Sequence, residues 1–336
     1  MHRGNFSQTR ARYRDTGNLW SFESIMSAGN PVEHSGRATV AIIGLGSIGG
    51  VIAGLLCALD RHDVLACVRH PVERLTVEQP DGAIEVPIKT LTDPTEAEPR
   101  DWVLLCTKAY DTPSIAPWLQ RLCGPHTRVA VLQNGIGHVD RLAPLVGEAT
   151  IVPTIVYYNG ERLAPDRVRF RRAGAYDLAV GEDLDGEAFA ALLEGTPMRM
   201  LRSPDFNTLA WRKLLINAVA NPITALTLQR QAVFRREDVK TLCVAILDEA
   251  AAVGRADGAR LDTDEAGKIM ATLLTYPADA GTSMYFDRLG GRPLEVEALT
   301  GAIVAAGERH RVPTPLNRLL LTLLRATGDP SGNAPR

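Results

Sequence analysis

The run Thr39–Gly50, TVAIIGLGSIGG, constrains this chain more than any other stretch. It opens on apolar, largely β-branched residues (Thr39, Val40, Ile42, Ile43). It turns through Gly44-Leu45-Gly46-Ser47-Ile48-Gly49 and continues from Ile52 to Leu59 as a helical pattern. Strand, glycine turn and helix in that order are the context in which a G-x-G-x-x-G spacing signals a dinucleotide site. Gly44 permits the tight turn, Gly46 leaves room for a pyrophosphate, and Gly49 lets helix and strand approach. The free N–H groups at the helix start, with the macrodipole, then favour phosphate. Two plainer readings compete. A glycine loop can serve only as a turn. Ala38–Leu59 also carries no charged residue, and Gly46/Gly50 and Gly50/Gly54 have the small-residue spacing of membrane helix pairs. Five glycines and a strand-forming start oppose a span, and a second strand candidate, Val64–Val68, follows at once.

At 336 residues the chain has length for two domains and an ample core. A net charge of -2 gives no basic excess for nucleic acid and no acidic tail. The five cysteines (Cys57, Cys67, Cys106, Cys123, Cys243) form no C-x-x-C pair and read as reduced thiols packed as small hydrophobes, which fits a cytoplasmic protein. The seven histidines form no H-x-x-x-H or Cys/His cluster, so no metal site is expected. Residues 1–37 lack the apolar core of a signal peptide and read as a disordered extension, with Met26 nearer the true start.

Residues 38–203 read as a doubly wound, largely parallel sheet with nucleotide-binding character. The strand candidates are Thr39–Ile43, Val64–Val68, Trp102–Cys106, Arg128–Leu132, Thr150–Tyr158, Arg167–Arg171, Tyr176–Val180 and Met198–Leu201, with a short β excursion near Ala83–Ile88. Residues 204–330 read as an all-helical domain, with helices over Phe206–Asn221, Arg236–Ala256, Thr263–Tyr276, Leu294–Arg309 and Pro315–Ala326. Asp262 and Glu265 have the spacing of a capping box.

In such sheets ligands sit beyond the carboxyl ends of the strands. Arg69, Lys108 and Asn134 each lie at or just past such an end. Arg69 stands where an NAD enzyme places an acid for the ribose hydroxyl; a guanidinium there suits a 2′-phosphate, so NADP(H) is the expected cofactor. In Trp211–Leu226, Lys213, Asn217 and Asn221 share one helix face among apolar neighbours, and Pro222 is expected to kink the helix. Polar groups on a buried face need partners, at a cost of about 1–3 kcal/mol each if they lack them. In Thr282–Gly301, Ser283 opens a short helix closed by Gly290-Gly291. Ser283 can be only a cap, Glu295 only a first-turn acid, and Asp287, Arg288 and Arg292 read as solvated or intrahelical.

The segments GLGSIGG, CTKAY, LQNG, WRKLLINAVANPITAL and SMYFDRLGGRPLEVEALTG, in this order from about Thr39 to Ala326, resemble the ketopantoate reductases (2-dehydropantoate 2-reductases) of the phosphogluconate-dehydrogenase-like superfamily. The resemblance implies a Rossmann-type nucleotide domain followed by a helical substrate domain. It implies that Gly44, Gly46 and Gly49, with Leu45, Ser47 and Ile48 between them, cradle the pyrophosphate and that Arg69 holds the 2′-phosphate. Lys108 and Asn134 would lie between cofactor and substrate. Lys213 would be the general acid, held by a nearby Glu295 that also orients the substrate hydroxyl, and Asn217, Asn221 and Ser283 would bind the substrate. Two departures stand out: Ala164-Pro165-Asp166 and Phe170 replace the family's usual Pro-Gly and His, and Leu294-Glu295-Val296-Glu297 replaces Thr-Glu-Ile-Asp. The implied reaction is NADPH-dependent reduction of ketopantoate to pantoate, a step of pantothenate biosynthesis.

The expected partner is a small anionic keto acid, with neither nucleic acid nor membrane, and a homodimer is compatible with the apolar helical faces. The alternatives are a reductase of another small 2-keto or 3-hydroxy acid, a non-catalytic NADP-binding sensor, and a membrane-anchored protein using Ala38–Leu59. A sensor has no need of both Lys213 and Glu295.

Overall fold

Thr39–Ile43 (β1) is buried on both faces, and the glycine turn after it leads into Ser47–Leu59 (α1). The computed structural model describes residues 37–328, all within one compact unit. The expected extension, residues 1–37, lies outside the described residues except for Arg37. The strands that follow are Asp63–Cys67 (β2), Arg74–Gln79 (β3), Gly82–Pro87 (β4), Lys89–Leu91 (β5) and Trp102–Leu105 (β6). Thr112–Leu122 (α2), Arg128–Val131 (β7), His138–Val146 (α3) and Thr150–Pro153 (β8) complete the first half. Then come Ile155–Val156 (β9), Asn159–Ala164 (β10), Arg167–Arg171 (β11), Leu178–Gly181 (β12), Leu184–Leu192 (α4) and Met200–Ser203 (β13).

Six of these strands form one parallel sheet in the order β5-β2-β1-β6-β7-β8. Its side chains alternate between two cores. Ala41, Ile43, Val103, Leu105, Val129 and Val131 pack under α2 and α3. Val40, Ile42, Leu104 and Ala130 pack under α1 and α4. Burial on both faces is why these strands read as unbroken apolar runs.

The remaining strands do not join that sheet; β4 is the short β excursion expected near Ala83–Ile88, whereas β9, β11, β12 and β13 were expected in the sheet. β10-β11-β3-β4 form a mixed four-stranded sheet, and β13-β12-β9 a three-stranded one. The four-stranded sheet lies against the outer face of α1. A Cβ on Gly50 would stand 2.7 Å from Val168, and one on Gly54 2.2 Å from Val77. The absence of charge over Ala38–Leu59 therefore reflects a helix sandwiched between two sheets. No helix among the described residues is long and apolar enough to cross a membrane.

From Phe206 the chain is helical: Phe206–Thr227 (α5), Glu237–Ala256 (α6), Glu265–Thr275 (α7), Ser283–Leu289 (α8), a π-helical turn over Glu297–Gly301, Ala302–His310 (α9) and Pro315–Gly328 (α10). α5 runs through the middle of this part, with Trp211, Leu215, Ala218 and Val219 fully buried. It continues five residues beyond Pro222, past the end expected at Asn221. Packing on several sides outweighs the one N–H that proline removes. The Asp262/Glu265 capping box is half formed: Glu265 accepts from the Asp262 N–H at 3.0 Å, but the Asp262 carboxylate pairs with Lys268.

Candidate functional site between the strand ends and helix α5

The parallel sheet delivers the glycine turn, Arg69, Lys108 and Asn134 to the same edge, because each follows the carboxyl end of a neighbouring strand. Gly44 has φ +95°, a conformation that disfavours any side chain. A Cβ on Gly49 would stand 2.0 Å from the Gly44 carbonyl oxygen, so glycine sets the approach of turn and helix. A Cβ on Gly46 would meet nothing within 4 Å. α1 starts at Gly46 with no side-chain cap and no acid in its first turn. Open space over uncapped N–H groups fits a pyrophosphate. The Arg69 side chain is 81% exposed and stands 3.5 Å from the Asp111 carboxylate.

Lys108 and Glu295 form the best-defined polar contact of the site. Lys108 Nζ donates to Glu295 Oε2 at 2.7 Å and to Asp287 Oδ2 at 3.1 Å. Asn134 Nδ2 donates to the same Glu295 oxygen at 3.1 Å. Burial alone would depress the Lys108 pKa, but the two carboxylates outweigh it and hold the value above that of an ordinary lysine. Asp287, expected to be solvated or intrahelical, is buried and also accepts from Arg292 Nε at 2.9 Å.

Lys213 sits elsewhere. It lines a cleft of about 190 Å³ bounded by the turn from Gln133 to Asp140, the segment Pro153–Val156 and the first turns of α5. Asn134 lines the same cleft. The Lys213 ammonium lies 5.6 Å from the centroid of the Tyr157 ring, a cation–π distance. Burial lowers its pKa, and no neighbouring charge opposes the shift. The expected Lys213–Glu295 pair is therefore absent. Glu295 is held at the β6 and β7 ends by Lys108 and Asn134, because its segment packs there: a Cβ on Gly135 would lie 2.1 Å from the Ala298 carbonyl oxygen.

Asn217 and Asn221 are buried on α5, on the face that carries Lys213. Asn221 Oδ1 lies 3.5 Å from Ser283 Oγ and 3.4 Å from the Met284 N–H. Ser283 thus faces Asn221, and the cap of α8 is Thr282, which accepts from the Tyr285 N–H at 3.1 Å. The structure assembles two clusters: Lys108, Asn134, Glu295 and Asp287 at the strand ends, and Asn221 with Ser283 beside α5. Asn134 joins the first to the Lys213 cleft. Tyr157, Asp287, Gln133, His138 and Arg141 were missed as site residues. Asp287 carried one usable signal, an acid one turn after the apolar Met284.

The five cysteines are free, and burial pushes the thiols of Cys57, Cys67, Cys123 and Cys243 up to about 11–12. They are inert packing groups. No group of three or more metal-ligating side chains occurs among the described residues.

The family model described as ketopantoate reductase PanE/ApbA matches residues 40–183, and its C-terminal counterpart matches residues 205–328. The chain belongs to the ketopantoate reductase family. The 2-dehydropantoate 2-reductase of Caulobacter vibrioides is 40% identical over 291 residues, covering 86% of this chain and 98% of that relative. The Mycobacterium tuberculosis enzyme of the same name is 38% identical, covering 87% and 99%. Among solved structures, a PanE/ApbA family ketopantoate reductase from Ralstonia eutropha superposes with a TM-score of 0.78 at 29% identity, over 87% of this chain and 98% of that one. A dimeric ketopantoate reductase from Staphylococcus aureus gives 0.76 at 27% identity, over 86% and 98%. The parallel sheet followed by helices is the fold of this family.

Proposed function

We propose that the chain reduces the ketone of ketopantoate to the hydroxyl of pantoate, with NADPH as hydride donor and Lys213 as proton donor. We further take residues 38–203 as the nucleotide domain and residues 204–330 as the substrate domain. The observation that carries this reading is the placement of Lys213: an ammonium without an ionic partner, in a cleft it shares with Asn134.

The glycine turn offers backbone N–H groups to the pyrophosphate, and Arg69 offers a bidentate cation to the 2′-phosphate. The strand ends and the glycine turn would hold a nicotinamide cofactor, which when bound would supply the hydride. Negative charge develops on the ketone oxygen as the carbon is reduced. An ammonium aimed at that oxygen stabilises the charge and then gives up its proton. The pKa depressed by burial makes Lys213 a readier donor than a solvated lysine. Asn217, Asn221 and Ser283 supply neutral hydrogen-bonding groups for the substrate's carboxylate and hydroxyl, so no repulsive charge is added. Glu295 serves the substrate's hydroxyl end after exchanging part of its hold on Lys108 and Asn134. The family, with pantothenate biosynthesis as its implied pathway, supports a cytoplasmic enzyme, and the dimeric Staphylococcus aureus relative supports a homodimer.

NADPH oxidation measured against a panel of 2-keto acids tests the reading. Ketopantoate should give the highest kcat/KM. Preference for another 2-keto acid would keep the reaction class and reject the substrate. NADPH binding without turnover of any of them would reject the catalytic reading.

A further inference from the structure

One half-buried cation takes no part in the chemistry above. Arg141 lies on α3, one turn after His138. Its Nη2 donates to Gln133 Oε1 at 2.5 Å and lies 3.0 Å from His138 Nδ1. Gln133 Nε2 donates onward to the Thr107 carbonyl oxygen at 2.9 Å. Gln133 and His138 bracket a turn whose middle holds Asn134, Gly135 at φ +98° and Gly137 at φ +71°. Two glycines in the left-handed region leave such a turn with many conformations of similar energy. The guanidinium ties its two ends together. Through Gln133 it also ties the turn to Thr107, the residue before Lys108.

Lys108 and Asn134 are the two side chains that donate to Glu295. The Gln133–His138 turn also forms one wall of the Lys213 cleft. We propose that Arg141 is a positioning residue, a clamp that fixes Asn134 and Lys108 with respect to Glu295 and the cleft. This rests on the reductase reading above. The protonation states agree with it. Burial first, and then the Arg141 charge, push the His138 pKa down to about 4 against a hydrogen bond to the Gly135 backbone, so the ring is neutral at neutral pH and in its Nε2–H tautomer Nδ1 accepts from Arg141. Burial also lowers the Arg141 pKa, while Glu295 opposes that change. Arg141 Nε is buried with no hydrogen-bond partner among the described residues. An arginine present for stability alone gains little by orphaning a donor. Both contacts run from the one nitrogen Nη2, whose two N–H bonds lie in the guanidinium plane and so fix the directions of the two acceptors, which a freely rotating ammonium does not.

The test uses the full chain carrying Arg141→Ala or Arg141→Lys. Three quantities are read: amide exchange over residues 131–141, kcat and KM for ketopantoate at saturating NADPH, and Tm. Arg141→Ala should speed exchange in the Gln133–His138 turn while leaving α6 protected. It should lower kcat about 10–100-fold, the scale of a misplaced catalytic group, with a smaller change in KM. Millimolar guanidinium should restore part of the lost kcat, and Arg141→Lys should fall between wild type and alanine. Exchange and kcat both within about twofold of wild type would overturn the proposal. So would a lowered Tm with unchanged kcat per folded enzyme, which is a purely structural role. If the wild type itself does not reduce ketopantoate, the reductase reading fails. Exchange in the turn then still decides the clamp, and unaltered exchange overturns it.

Discussion

Lys108 and Lys213 are two half-buried lysines of one site, and the molecule treats them in opposite ways. Lys108 lies between two buried carboxylates that hold its pKa above the ordinary lysine value against the effect of burial. Lys213 has a tyrosine ring beside it and no carboxylate, and burial lowers its pKa. A cation that must stay charged and in place is given counter-charges. A cation that must part with a proton is left without them. On the proposed function, Lys108 is a strut and Lys213 the reactive group.

The largest expected effect breaks or keeps that contrast outright. Lys213→Ala should lower kcat by about 10²–10⁴, the range for loss of a positioned proton donor. Near-normal turnover would leave the two lysines functionally alike. A third cation sharpens the contrast. Arg69 is exposed and only loosely paired with Asp111, so its charge is available to a ligand. Arg69→Ala should weaken NADPH binding about 10–100-fold, the loss of a charge-assisted contact, and spare NADH. Equal losses for both cofactors, read by fluorescence titration, would remove the 2′-phosphate assignment.

Glu295→Ala tests the strut. It withdraws one carboxylate from Lys108 and the acceptor from Asn134, and should cost about 1–3 kcal/mol of stability by urea unfolding. No loss would mean that Asp287 alone suffices. The smallest effect has the opposite sign. An ammonium buried without a counter-charge destabilises the fold, so Lys213→Met should raise Tm by about 2–4 °C while lowering turnover as Lys213→Ala does. The sign with pH follows. The folded pKa lies below the unfolded one, so the cost is complete while both states are protonated. It is relieved as pH rises through the folded value. The stability gained by Lys213→Met should therefore shrink in alkaline solution.

The nucleotide-binding half was legible because its signals are local. The strand–glycine–helix order, the apolar runs and the residues just past the strand ends all sit within a few positions of one another. The split of the later strands into two further sheets was not legible. β3 carries a charged outward face and pairs in parallel with β11, far along the chain, which periodicity does not encode. At the site, Lys213, Asn217 and Asn221 were legible as one helix face, and the Asn221–Ser283 meeting accords with the family resemblance. The partner of Glu295 was not. Whether a carboxylate meets Lys108 or Lys213 depends on how the Glu297–Gly301 turn packs against Gly135, a contact across more than 160 positions. The burial of Asp287 was not legible for the same reason: its Lys108 partner lies 179 positions away, and its place one turn after the apolar Met284 is the one local sign of it.

The most direct test is the pH dependence of kcat/KM for NADPH-dependent ketopantoate reduction, compared between the wild type and Lys213→Ala. Deprotonation removes the acid. The wild-type rate should fall as pH rises, with a midpoint below the usual lysine value of about 10.4, and the residual activity of the variant should lack that fall. An alkaline limb that survives unchanged in Lys213→Ala, or a wild-type rate that stays level past about pH 10.4, would contradict the assignment of Lys213 as the proton donor.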